Sequence, residues 1–189
     1  MNTDLTRFIN PVPVRNQAVA IVSQMKTYNK PWLKAAAIQY WIRNNITYIS
    51  DPTDNEYFAK PEETIATRGG DCEDFSILFC SMCMAVGVRI RIHIVEKDRL
   101  GHAFSSIFCE NEPITAIVED IRNFYKNRNV YIGSKEIFTY DHPANSRWLI
   151  VDPQARFIGD MQGIIKMGYA SYQNGKYRWI ANHFFYNHP

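Results

Sequence analysis

Two glycine breaks, Gly69-Gly70 and Gly87, enclose the stretch that most restricts how this chain can fold. Between them Phe75, Leu78, Phe79, Met82 and Val86 recur at helical spacing, which predicts a helix from Cys72 to Val86 with one apolar face. Gly87 is well placed to end it. The pattern then changes abruptly. Val88, Ile90, Ile92 and Ile94 alternate with Arg89, Arg91 and His93, predicting a half-buried strand over Val88 to Val95.

The rest of the chain fits around this helix–strand unit. An N-terminal arm, residues 1–13, ends at Pro11-Val12-Pro13. A helix is expected from about Asn16 to Thr27, with Val19, Val22 and Met25 on one face. A second opens at Pro31, a residue suited to the first helical position. Its apolar stripe comprises Leu33, Ala36, Ala37, Tyr40, Trp41 and Asn44. A strand over His102 to Cys109 follows the turn Lys97-Asp98-Arg99-Leu100-Gly101. Pro113 opens a further amphipathic helix carrying Ile114, Ile117, Val118, Ile121 and Tyr125. Ile137 to Tyr140 and Trp148 to Asp152 read as strands, and Asn174-Gly175 is a hairpin turn. The expected class is α+β, with N-terminal helices and the helix from Cys72 packed on a mainly antiparallel sheet. No repeat or low-complexity tract interrupts residues 1–189, which predicts a single domain.

Composition excludes several classes. With 21 basic against 19 acidic residues, the net charge of +2 gives no field for nucleic acid or an anionic membrane. No apolar run approaches membrane-spanning length, and the N-terminus lacks the apolar core of a signal peptide. Four cysteines are too few for a disulfide framework in a chain of 189 residues, so a reducing, cytoplasmic compartment is expected.

One of those cysteines carries chemistry. Gly69-Gly70-Asp71-Cys72-Glu73-Asp74 sets a thiol at a helix N-terminus, where partial positive charge favours the thiolate. Gly101-His102-Ala103-Phe104 puts an imidazole on a strand, and Trp148-Leu149-Ile150-Val151-Asp152 ends another strand in a carboxylate. Thiol, base and orienting acid are the three parts of nucleophilic acyl transfer. The expectation is a sulfur within reach of an imidazole nitrogen.

These residues, in this order, resemble the transglutaminase-like superfamily, papain-like cysteine enzymes with a rearranged chain. The resemblance runs from Trp32 to Asp152 and includes Asn45-Ile46-Thr47-Tyr48. It implies that Cys72 is the nucleophile, His102 the general base and Asp152 the orienting acid. The family usually has tryptophan after His-Ala, where this chain has Phe104. It also commonly joins the His and Asp strands by a tight hairpin, so residues 110–147 are expected to be an insertion, a lid or specificity element. The run Asp71-Cys72-Glu73-Asp74 further resembles bacterial transglutaminase-like cysteine proteases, some of which bind calcium through acids flanking the nucleophile. Those acids would raise the thiol pKa unless neutralised. Pairing with Arg68, Arg89 or Arg91, together with complementation of the helix dipole by acids in its first turn, is the favoured means, with no cofactor. Calcium at Asp71 and Glu73 is the alternative.

The resemblance implies a cysteine peptidase or isopeptidase acting on protein or peptide. Interception of the same thioester by an amine would instead make a glutamine transamidase or deamidase, and a silent peptide-binding module is the non-enzymatic alternative. The Cys72 backbone N–H is the expected first oxyanion donor, with Trp41, Asn44, Asn45 and Tyr48 as candidates for the second. Cys80, Cys83 and Cys109 read as core, against a remote metal site with His93. His93 itself reads as part of a solvated or salt-bridged face. Asp141 is a rival orienter, for which a turn aspartate is the plainer reading.

Overall fold

The computed structural model describes residues 3–25, 29–52, 57–98, 100–109, 112–133, 139–142, 146–173 and 176–187, leaving aside the side chains of 139–142, 146 and 176. After a 3-10 turn at Leu5–Phe8, its elements are α1 (Arg15–Ser23), α2 (Pro31–Asn45), β1 (Thr47–Tyr48), α3 (Pro61–Thr67), β2 (Gly69–Gly70) and α4 (Cys72–Ala85). Then come β3 (Ile90–Lys97), β4 (Leu100–Phe108), α5 (Ile114–Lys126), β5 (Thr139–His142), β6 (Ser146–Val151), α6 (Gln162–Lys166), β7 (Ala170–Gln173), β8 (Lys176–Trp179) and β9 (Asn182–Asn187). Strands β3 to β6 and β9 form one antiparallel sheet ordered β5-β6-β4-β3-β9. The α+β expectation holds. The hairpin turn at Asn174-Gly175 lies outside the described residues, but β7 and β8 pair on either side of it.

Helix α4 is the hub. Its central residues, Phe75 through Cys83, are buried without a break, so the helix is apolar all round rather than on one face. It lies on the sheet with Ile92, Ala103 and Ile107 beneath it, while α1 and α2 cover its other side. Gly87, with φ of 76°, turns the chain from α4 towards β3, a conformation that suits glycine.

Several expectations shift. In α1, Ala18 and Val22 are buried but Val19 is exposed, and residues 26–28 lie outside the described set. In α2, Leu33, Ala36 and Ala37 are buried as expected, whereas Asn44 is exposed and Ala35, Ile38, Gln39 and Ile42 are buried too. The helix is thus wedged between α4 on one side and α5 on another. Strand β3 is not half-buried. Arg91 and His93 on its second face are as enclosed as the isoleucines on its first. That second face is covered by a separate cluster of Val95, Phe104, Ile150, Met161, Ile164 and Tyr169, with Trp179 against it. Two-sided burial is why alternation in β3 misleads.

Within 110–147, the described elements α5 and β5 are built into the body of the protein. Ile117, Ile121, Phe124 and Tyr125 of α5 enter the main core, and β5 extends the sheet beyond β6. Such packing makes α5 part of the helical layer. Among the described helices, none is long and apolar enough to cross a membrane.

Candidate active site

The first turn of α4 is fixed by its own acids. Asp71 caps the helix, its Oδ1 accepting from the N–H groups of Glu73 at 3.2 Å and Asp74 at 3.5 Å. Asp74 reciprocates, accepting from the Asp71 N–H and, at 2.8 Å, from the Ala59 N–H. Gly70 permits this. A Cβ there would stand 2.7 Å from both Cβ and Oδ2 of Asp74. Cys72 is therefore presented at the first helical position, where its own N–H has no acceptor within the helix.

The sheet supplies the other two groups. His102 is near the start of β4, and Val151, the last residue of β6, pairs with Ser105. Asp152 follows one residue later and reaches back to the imidazole, with 2.9 Å between His102 Nε2 and Asp152 Oδ2. Both side chains are almost enclosed, at 7% and 6% exposure. Using Nε2 for the carboxylate leaves Nδ1 as the ring nitrogen available to another partner. Antiparallel pairing of β4 with β6 thus closes the long sequence gap between His102 and Asp152.

The loop bearing Asp152 is itself pinned from the helical layer. Gln39 of α2, fully buried, donates from Nε2 to the carbonyls of Ala155 at 2.5 Å and Pro153 at 3.4 Å. Tyr125 of α5 donates its hydroxyl to Gln39 Oε1 at 2.7 Å and accepts from the Ile158 N–H at 3.1 Å. Every polar atom of this buried pair is used.

The thiol has an unexpected partner. Its Sγ lies 2.8 Å from Glu73 Oε2, and its hydrogen bond runs there rather than to the imidazole. Burial is the first reason: Cys72 is 8% exposed, and enclosure favours the neutral thiol, which then needs an acceptor. Its pKa is raised by burial first, then by the Glu73 charge and the hydrogen bond to it, and by Asp71, against an opposing contribution from the Ala103 backbone N–H. Burial also pushes Glu73 up to about 7 and Asp74 up to about 6, the Asp71 charge adding to both, and it raises Asp71 itself. A cleft of about 280 Å³ opens beside Glu73 and Gly101, walled by Phe58, Ile94 and Leu100.

Among the described residues the expected arginine pairing is not seen. Arg89 lies over the Phe108 ring at 4.4 Å, and Arg91 over Trp148 at 3.6 Å, donating to Asn187. Among the described residues no ion pair joins Arg68 or another base to Asp71, Glu73 or Asp74. Ligand atoms of Asp71, Cys72 and Glu73 instead lie within 4.8 Å of one another.

The oxyanion candidates divide. Asn44 and Asn45 each donate to a carbonyl of their own helix, Tyr40 and Trp41 respectively, and both line a cleft with Trp41, Gln17 and Arg128. Tyr48 stands closer to the thiol. Its pKa is raised by burial first and then by the charges of Cys72, Asp71 and Glu73. Cys80, Cys83 and Cys109 are buried core residues without a disulfide, and Cys80 Sγ meets Ser105 Oγ at 3.3 Å. The side chain of the rival orienter Asp141 lies outside the described set.

The family model described as the transglutaminase-like superfamily matches residues 19–153. The chain belongs to that superfamily. No curated protein matches the sequence. Among solved structures, Legionella pneumophila LapG is 17% identical over 92% of this chain and 89% of its own, with a TM-score of 0.50. Its calcium-bound form is 18% identical over 93% of this chain and 83% of its own, with the same TM-score of 0.50. A Cytophaga hutchinsonii protein described as a candidate cysteine protease is 16% identical with a TM-score of 0.48, and this chain spans 56% of its length. At these identities the likeness is one of fold.

Sequence reasoning missed two contributors. Glu73 was legible as a helix-start acid and as a calcium candidate, but nothing in its position announced a hydrogen bond from the thiol beside it. Tyr169, whose ring lies 6.4 Å from that of His102 and within 6° of parallel to it, comes from the far end of the chain.

Proposed function

We propose that this superfamily member is a cysteine hydrolase of protein or peptide amide bonds, with Cys72 as nucleophile, His102 as general base and Asp152 as the acid that orients it. The buried His102–Asp152 hydrogen bond carries the reading. It fixes the tautomer and stabilises an imidazolium, while the Ala103 backbone next to the base favours the thiolate.

In the reaction His102 Nδ1 takes the thiol proton and Sγ attacks the amide carbonyl carbon. The oxyanion is met by the Cys72 N–H and the helix terminus behind it. The imidazolium then protonates the leaving amine, the C–N bond breaks and a thioester remains. Water, deprotonated by the same imidazole, releases the acid and restores the thiol. Before the first step the thiol must leave Glu73.

Two facts fit a hard divalent cation such as calcium at Asp71 and Glu73: their proximity and their raised pKa values. The calcium-bound form of LapG, a protein of similar fold, agrees with that choice of ion. Bound there, the ion would supply positive charge that offsets both carboxylates and lowers the thiol pKa.

Fluorescein-casein hydrolysis by purified protein, with and without calcium, tests the reading against Cys72→Ala, His102→Ala and Asp152→Ala. Loss of cleavage in the first two and severe loss in the third is expected. Hydrolysis that survives Cys72→Ala would overturn it. Ammonia release with amine incorporation into casein glutamine, in place of chain cleavage, would reassign the protein as a transamidase.

A further inference from the structure

Beyond the matched span of 19–153, the chain returns to the site through Tyr169. This residue lies in the turn between α6 and β7, and three backbone hydrogen bonds hold it. Its N–H donates to Ile164 O at 3.1 Å, and its carbonyl accepts from Ile180 at 2.9 Å and Ala181 at 3.1 Å. Its side chain belongs to the second apolar cluster, with Val95, Phe104 and Ile150, and is only 4% exposed. Backbone and ring are therefore both fixed before any ligand arrives.

What this ring touches gives it meaning. His102 faces two aromatic neighbours, Phe104 at 6.2 Å and 22°, and Tyr169 at 6.4 Å and 6°. Such centroid distances suit offset stacking of flat rings. The imidazole is attached to its backbone through Cγ and bonded to Asp152 through Nε2, and a ring held at these two points can still rotate about the line that joins them. A flat, rigid neighbour removes that rotation and keeps water from the His102–Asp152 pair. Burial first, and then the charges of Cys72 and Glu73, raise the Tyr169 pKa.

We propose that Tyr169 is a positioning residue for His102: its ring, delivered by the segment after Asp152, locks the imidazole plane so that Nδ1 can meet the Cys72 thiol once it leaves Glu73. This rests on the reading of His102 as base to Cys72. The role belongs to the ring and not to the hydroxyl, which has no hydrogen-bond partner among the described residues. The C-terminal segment is on this account a working part of the site.

Iodoacetamide alkylation of Cys72, followed by mass spectrometry across pH 5 to 9, tests the proposal without a substrate. Wild type is compared with Tyr169→Phe, Tyr169→Leu and His102→Gln. Tyr169→Leu is expected to lose about tenfold in rate near neutrality and to take on the pH profile of His102→Gln, while Tyr169→Phe stays within about twofold of wild type. A Leu variant that follows wild type while His102→Gln departs from it overturns the positioning role alone. If His102→Gln itself matches wild type, the base assignment falls, and Tyr169 with it. Equal losses in the Phe and Leu variants would move the role to the hydroxyl and overturn the proposal. Should the Leu variant fail to fold, the imidazole proton shared by His102 and Asp152 is expected to give a slowly exchanging NMR signal in wild type and Tyr169→Phe. Rapid exchange in wild type would overturn it.

Discussion

The Cys72 thiol donates to the carboxylate of Glu73, its neighbour in the chain, at 2.8 Å. Adjacent helical residues do not normally face each other, but at the first turn a side chain can fold back over the helix end. The bond stabilises the protonated thiol, and Glu73 has its own pKa raised by burial to about 7. Near neutrality the carboxylate therefore changes charge, and the environment of the nucleophile changes with it. The resting arrangement holds the thiol back.

Replacing that carboxylate should release it. Glu73→Gln removes the charge that opposes the thiolate while preserving length and shape. Iodoacetamide should then modify Cys72 about tenfold faster near neutral pH, a change equivalent to lowering the thiol pKa by about one. The other three thiols are buried core residues and serve as internal controls. A slower reaction would show that Glu73 assists the nucleophile instead of restraining it.

Calcium should act on the same bond. Adding the ion is expected to raise both the midpoint of thermal unfolding and the Cys72 alkylation rate, and EGTA to reverse both. At a hundredfold excess over Kd the stabilisation is about 2.7 kcal/mol. Asp71→Asn separates helix capping from cation binding, since asparagine caps as well as aspartate but carries no charge. That variant should fold and lose both responses. Calcium effects that persist in it would place the ion elsewhere.

How much of this was readable in the sequence follows from how local each signal is. The thiol at a helix start was legible because glycines and apolar spacing are adjacent to it. The pairing of His102 with Asp152 followed from residue types in a familiar order, although the geometry depends on β4 and β6 being neighbours across the sheet. Arg91 and His93 misled, since alternation reports chemical type and not what covers the second face of a strand. Covering that face requires residues near 160–180, too distant in sequence to be inferred. Tyr169 was invisible for the same reason. The helix after Pro113 was found, but only its packing on α2 revealed a scaffold for the Asp152 loop.

That scaffold can be tested at Gln39. Its amide satisfies the carbonyls of Pro153 and Ala155 and the Tyr125 hydroxyl, all in the interior. Gln39→Leu conserves bulk but strands these groups, at a cost of about 2–3 kcal/mol. The thermal midpoint should fall by roughly 4–10 °C. In the folded fraction the pH profile of Cys72 alkylation should shift towards that of Asp152→Ala, because the loop carrying the acid loosens. An unchanged profile would limit Gln39 to stability.

Acid should unfold this protein through the pair formed by His93 and His183. His93 Nδ1 lies 2.9 Å from His183 Nε2, and His93 Nε2 lies 2.7 Å from Ser106 Oγ. His93 stacks on Phe104 and His183 on Trp179. Burial lowers the pKa of His183 to about 4. That of His93 falls well below the ordinary value, through burial first and then the neighbouring His183 and Arg91. Unfolded, both titrate near 6.5. Between about pH 6.5 and 4 the unfolded chain binds more protons than the folded one, so stability rises with pH across that window. It is complete above 6.5 and is lost as pH falls towards 4. The displacement of His183 alone corresponds to about 3 kcal/mol. Urea midpoints measured from pH 7 to 4.5 should decline steeply in wild type and less steeply in His183→Gln, which keeps a polar partner for His93 without a second buried imidazole to protonate. Equal slopes in the two proteins would trace the acid sensitivity to the carboxylates around Cys72 instead.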